Sequence, residues 1–154
     1  MKLLLLSLIT ALPSLAQFVA IDITFEGIGC ASCMESLPER MKRLRGVESA
    51  KVDAEHGTLQ LRLAAANRVK LEQVRDMIEQ DGTKTKQALV QVKGELSRQD
   101  GKWVLKPGES ASYRVEGAAP AAPGAYVVTG TVDKMRTDAG DLVIRATELH
   151  QAER

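Results

Sequence analysis

Aromatic residues are scarce: Phe, Tyr and Trp make up 3% of the 154 residues, with one Trp, two Tyr and two Phe. A surface that stacks bases or sugars needs several such rings on one face, so single-strand nucleic-acid binding of that kind has no support. Histidine is also rare, at two. The only two cysteines, Cys30 and Cys33, stand in a single C-x-x-C, which excludes a disulfide framework of several bridges. Charge of one sign is not in excess either. The formal net charge is +1, which gives no support to nucleic-acid or membrane-surface binding by overall charge.

Long apolar runs are missing except at the start, MKLLLLSLITALPSLAQ. There Lys2 supplies a positive region, Leu3 to Leu12 an apolar one and Ser14-Leu15-Ala16 a small-residue cleavage site, the layout of a signal peptide. Pro13 breaks the run well short of the ~20 residues that a spanning helix needs. The expected mature chain begins at Gln17 and is periplasmic or secreted. Of the 21 basic residues Lys2 leaves with the segment, so 20 remain against 20 acidic ones and the mature formal charge is zero. In an oxidising compartment a lone cysteine pair closes on itself or is protected by a metal or a reductant.

The rest of the chain holds enough residues for two small domains. Phe18 to Phe25 alternates apolar and polar residues, as a half-buried strand does. Met34, Leu37, Met41 and Leu44 recur at helical steps between Ala31 and Arg45, before Gly46. Val47 to Asp53 and Thr58 to Leu63 read as strands joined by a turn at Glu55-His56-Gly57. Asn67 offers an N-cap to a second helix over Val69 to Gln80, and a strand begins near Lys84. The order β-α-β-β-α-β specifies a ferredoxin-like α+β sandwich over residues 17–93. Residues 94–154 show short β runs divided by glycines and no helical period, which predicts a small all-β domain, an OB-like barrel or a sandwich. Gly94 and Gly130 are expected to bend or bulge their strands.

A C-x-x-C between a strand and a helix places one sulfur on a loop and the other in the first helical turn. The positive end of the helix dipole there favours the thiolate of Cys33, the form that ligates metal. Two soft sulfurs without an obvious third ligand suit Cu(I) better than a closed tetrahedral zinc site, although Hg(II), Cd(II) and Zn(II) also accept two thiolates.

With its frame, the run Gly27-Ile28-Gly29-Cys30-Ala31-Ser32-Cys33 resembles the heavy-metal-associated domains of copper chaperones, P-type metal ATPases and the periplasmic mercury-binding protein. The resemblance covers about Phe18 to Lys93. It includes Met34, Leu37, Met41, Leu44, Gly46-Val47, Val52-Asp53 and Gly82. It implies that Cys30 and Cys33 are the metal ligands and that the protein is a carrier, chaperone or sensor and not an enzyme. Transfer would proceed by stepwise thiolate exchange with a donor or acceptor protein docked at the loop and first helix, with Cys30 the first sulfur to exchange.

Three residues depart from the family pattern. Ile28 replaces a Met that tucks into the core, and Ile is expected to fill that volume. Thr83 stands where an aromatic or a Lys is common, and Lys84 beside it reads either as a replacement charge or as a solvated side chain. Pro38 falls inside the first helix and is expected to kink it.

Other readings stay open. The cysteines could form a disulfide in a ferredoxin-like interaction module, or serve a thiol-disulfide redox protein, although the element order speaks against the latter. Met34 and Met41 read as core, and His56 and His150 as solvated. Arg40, Lys42, Arg43 and Arg45 read as a solvated helix end or as a docking face for an acidic partner. Trp103, Tyr113 and Tyr126 read as core residues of the second half.

Overall fold

Apolar positions spaced two apart in the strands and three or four apart in the helices converge on one buried layer. The structure is a computed structural model and describes residues 17–107, 112–133 and 142–152. The expected signal segment and its cleavage site lie outside the described residues. Strand β1 spans Gln17–Glu26 and buries Phe18, Ile21, Ile23 and Phe25. The three-residue step from Phe18 to Ile21 is explained by an irregularity in its pairing with β4 between Phe18 and Ala20, which shifts the alternation by one.

Helix α1 (Ala31–Lys42) buries Met34, Leu37 and Met41. Strands β2 (Val47–Asp53) and β3 (Thr58–Leu63) follow, then helix α2 (Leu71–Glu79), which buries Leu71, Val74 and Ile78. With β4 (Lys84–Gln99) the strands lie in the order β2-β3-β1-β4, every pair antiparallel. This is the ferredoxin-like arrangement that the element order specified.

One local expectation is corrected. Asn67 is not the cap of α2: the N-cap is Lys70, which makes no side-chain cap bond. Asn67 is buried, and its Nδ2 donates to the carbonyls of Phe18 (2.8 Å) and Ala64 (2.7 Å). Its amide side chain is therefore occupied in tying the β3–α2 connection to β1, and the helix starts later. Pro38 lies inside α1, as expected, and the helix continues to Lys42 with its apolar stripe packed on both sides of the proline.

Strand β4 runs on through Gly94 without interruption, so the position chosen to divide the two halves falls inside it. Its stretch Ala88 to Leu96 pairs with β7 (Gly124–Val132), and Glu95 to Gln99 pair with β5 (Lys102–Lys106). Strands β6 (Tyr113–Gly117) and β8 (Leu142–Gln151) complete a ring β4-β5-β6-β8-β7 that returns to β4, with β6 and β8 parallel and the other pairs antiparallel. Leu96, Leu105, Tyr113, Val115, Val128 and Ile144 are buried in it. Gly94 stays in regular register opposite Tyr126, so no bulge falls there. At Gly130 the expected irregularity is present: the register with β8 shifts between Thr129 and Gly130, and a Cβ there would run into the Arg145 carbonyl.

The two halves share one hydrophobic cluster. Phe18 of β1 meets Tyr113 of β6 edge-on at 5.7 Å. Burial, with a contribution from Glu72 of α2, pushes the Tyr113 hydroxyl well above its ordinary pKa. Tyr126 is buried and donates to the Ala122 carbonyl at 3.0 Å, while Trp103 is half-buried under Arg98. No helix among the described residues is long and apolar enough to cross a membrane.

Candidate metal centre

The cysteines sit where β1 gives way to α1. Gly27 turns the chain with φ +65° in open space, and Gly29 packs against the next turn so closely that a Cβ would overlap the Asp81 carbonyl oxygen. Cys30 is the N-cap of α1, with φ −151° and ψ 109°, and its sulfur accepts a hydrogen bond from the Cys33 amide at 3.2 Å. Sulfur here takes the place that a Ser or Asp oxygen usually fills. Ser32 Oγ lies 3.3 Å from the same sulfur, and Ser36 Oγ donates to the Cys33 carbonyl at 3.0 Å. No acidic side chain occupies the first turn, so the positive end of the helix is directed at sulfur and is not neutralised by a carboxylate.

Cys30 and Cys33 are joined as a disulfide, with their Cα atoms 5.2 Å apart and both residues half-buried. Reduction of this bond by two electrons and two protons yields two thiols at the helix N-terminus. The donor set then consists of two soft sulfurs held within one helical turn, which fits a low-coordinate thiophilic ion.

Around the pair, several expectations change. Ile28 does not fill a core volume: it is 38% exposed. Glycines on both sides let the backbone turn it outward, while Phe25 and Met34 are buried below. Thr83 is 2% exposed, so it is a buried floor residue and not a surface group beside the sulfurs; its hydroxyl and Asp81 Oδ2 are buried without a hydrogen-bond partner. Lys84 beside it is exposed. Met34 and Met41 are core residues, as read from the sequence.

His56 is closer to the site than its place in the chain indicates. Its turn follows β2, and the Phe25 amide donates to the Gly57 carbonyl at 2.8 Å, which puts the turn at the same end of the sheet as the cysteine loop. Its Nδ1 lies 2.8 Å from Asp53 Oδ2, while His150 Nε2 is 3.6 Å from Glu148. Among the described residues no group of three or more His, Cys, Asp or Glu could hold a metal.

The basic residues of α1 do not gather at the cysteines. Arg40 donates to the Met77 carbonyl at 2.8 Å and to Gln80 Oε1 at 2.6 Å, clamping α1 to α2. Lys42 pairs with Glu39 at 2.8 Å. Arg43 and Arg45 lie at the opposite end of the helix, because twelve residues of α-helix separate them from Cys30 by about 18 Å. Proximity in sequence was a poor guide here, since a helix carries its ends apart.

The N-cap role of Cys30 and the brace of Gly29 on Asp81 were not read from the sequence. Cysteine immediately before a helical stripe was the available signal for the first; nothing local signals the second. Comparison with curated proteins returns no match. Among solved structures the chain is similar to a CopZ metallochaperone, at 26% identity over 43% of this chain and 97% of that one with a TM-score of 0.37. It is also similar to the N-terminal domain of a potential copper-translocating P-type ATPase from Bacillus subtilis, at 19% identity over 44% of this chain and 84% of that one, TM-score 0.38. A third is the putative copper-ion-binding protein from Bacillus anthracis str. Ames, at 25% identity over 47% of this chain and 99% of that one, TM-score 0.37. Residues 22–84, from within β1 to the first residue of β4 and so including both cysteines, match the family model of the heavy-metal-associated domain.

Proposed function

We propose that the chain binds one soft metal ion, Cu(I) foremost, between the sulfurs of Cys30 and Cys33, and acts as an exported carrier, chaperone or sensor in the periplasm or outside the cell. The observation that carries this reading is the placement of two sulfurs at the uncompensated N-terminus of α1, inside the segment that matches the heavy-metal-associated domain. Two thiolates and one Cu(I) leave a single negative charge, which the exposed N–H groups of the first turn stabilise. Metal is cargo here, so the site takes it up and gives it away. Exposed Ile28, Ala31 and Ser32 surround the sulfurs and form the contact zone for the protein that donates or receives it. We read the ring of β4 to β8 as an OB-type barrel, a reading supported by its five strands and the return of β7 onto β4.

Titration of the reduced protein with Cu(I) against a chromophoric Cu(I) chelator is expected to give one ion per chain, and Cys30→Ser/Cys33→Ser to abolish it. Equal affinity in the double variant would sink the proposal. Hg(II), Cd(II) and Zn(II) competed in the same assay rank the metals.

The closed disulfide favours a second reading, an interaction module that has kept the fold while its cysteines are oxidised after export. Native mass spectrometry of protein taken directly from its compartment separates the two. Two hydrogens lost and no metal bound is the outcome of the second reading, and bound copper that of the first.

A further inference from the structure

Helix α2 carries no basic residue in its last turn. Its terminal carbonyls and the negative end of its dipole therefore lack the cation that a helix of favourable sequence places there itself. Arg40 supplies it from α1, its Nη2 donating to the Met77 carbonyl at 2.8 Å and to Oε1 of Gln80, the C-cap residue, at 2.6 Å. Arg40 lies in the last turn of the helix that has Cys33 in its first turn and Cys30 as its cap. One side chain thus sets where the end of α2 stands relative to the rod that bears the sulfurs.

The residue after Gln80 is Asp81, and its carbonyl oxygen lies so close to Gly29, the neighbour of Cys30, that a Cβ would overlap it. The Asp81 side chain shapes this turn, since Oδ1 accepts from the Thr83 amide at 3.0 Å across Gly82 at φ +90°. Burial opposes charge on the Asp81 carboxyl, yet contacts with Thr83 and the charge of Arg40 hold it below the ordinary carboxylate range. Asp81 Oδ2 and the Thr83 hydroxyl are buried without a partner, so the turn depends on its neighbours to stay in place. Glu79 fastens it to β4 by accepting from the Thr85 amide at 3.1 Å, and Arg40 fastens it to α1. Of these two ties, Arg40 is the one that reaches the element bearing the sulfurs.

We propose that Arg40 is a positioning residue for the Cys30–Cys33 loop, acting through Gln80 and Asp81 to hold Gly29, and with it both sulfurs, at the N-terminus of α1. Arg40 touches neither sulfur, because ten residues of chain along the helix separate it from Cys30 by about 15 Å. The links close on themselves: α1 runs from Cys33 to Arg40, Arg40 holds the end of α2, Asp81 backs Gly29, and Gly29 leads into Cys30. Without the guanidinium the end of α2 draws away and Gly29 loses its backing. The reduced loop then spreads over more conformations, so two thiols held less closely bind metal less tightly. This deepens the metal reading and rests on it for what the loop holds, whereas the positioning concerns the loop alone.

The test compares the parent with R40M, Q80A, R40M/Q80A and V92A. Val92 pairs with Phe18, at the end of β1 away from the loop, so V92A reports what a general loss of stability does. The first readout needs no metal: the equilibrium constant for closing the Cys30–Cys33 disulfide against glutathione measures how closely the two thiols are held. R40M is expected to lower it about tenfold and to weaken Cu(I) binding to a similar degree in competition with a chelator. Q80A should lower both severalfold and add little to R40M, because both changes break one link. V92A should lower the unfolding midpoint and leave both readouts at the parent value. Should R40M not fold, Q80A against V92A carries the comparison. A disulfide equilibrium in R40M equal to that of the parent or V92A overturns the proposal, as does full additivity in R40M/Q80A. A parent that binds no Cu(I) sinks the metal reading and leaves the glutathione comparison to decide this one.

Discussion

Gly27 and Gly29 flank Ile28 and serve different physical needs. Gly27 occupies a left-handed conformation with space around it, so a side chain there meets backbone strain alone. At Gly29 the obstacle is the Asp81 carbonyl, backbone that cannot swing aside as the tip of a side chain would. G27A is therefore expected to cost about 1 kcal/mol and G29A about 2 kcal/mol or more, an order that urea unfolding of the two variants measures. The identity and spacing of Cys30 and Cys33 were fully legible, because the chemistry of a thiol is intrinsic to the residue. The orientation of Ile28 was not: apolar character argues for burial, but two adjacent glycines permitted an outward turn and the core was already filled. Asn67 likewise carried a cap signal that a pair of distant carbonyls redirected.

Among the elements, α1 shows how packing overrides propensity. Pro38 has no N–H to offer the Met34 carbonyl, yet Leu37 and Met41 are fully buried around it and hold the helix to Lys42. P38A restores the missing donor in a backbone already helical, so it is expected to stabilise the protein by ~1–3 kcal/mol, read as a higher urea midpoint at unchanged slope. If the midpoint falls, the proline fits a local geometry that alanine cannot. The strand limits of β2 and β3 were read correctly from alternation, since each lies in an antiparallel sheet with one covered face. The periodicity of β4 is the same on either side of Gly94, and only its partners change, from β1 to β5 on one side while β7 pairs across.

For the molecule as a whole, β4 runs through both halves and one hydrophobic cluster joins them, which predicts that they unfold together. Val92 pairs with Phe18 on one side and Val128 on the other and is fully buried. Calorimetry is accordingly expected to show one unfolding transition, and V92A to lower it as a unit by about 2–3 kcal/mol. Two resolved transitions, with V92A moving one of them, would mean that the halves fold separately. The same architecture covers the edge of β4 that a four-stranded sandwich leaves open and leaves β2 as an edge strand. It also keeps the cysteines at one end of α1 and Arg43 and Arg45 at the other.

The sequence by itself determined the element order of the first half, the sandwich it builds and the two sulfurs at its strand-to-helix turn. Those features follow from local periodicity and from the chemistry of individual side chains. Only the tertiary structure decided that Cys30 caps α1, that Gly29 rests on Asp81, that Arg43 and Arg45 stand away from the cysteines, and that β7 is the second neighbour of β4. Each of these depends on which distant segment comes to lie alongside, and a one-dimensional pattern of apolar and polar residues carries no information about the identity of a neighbour.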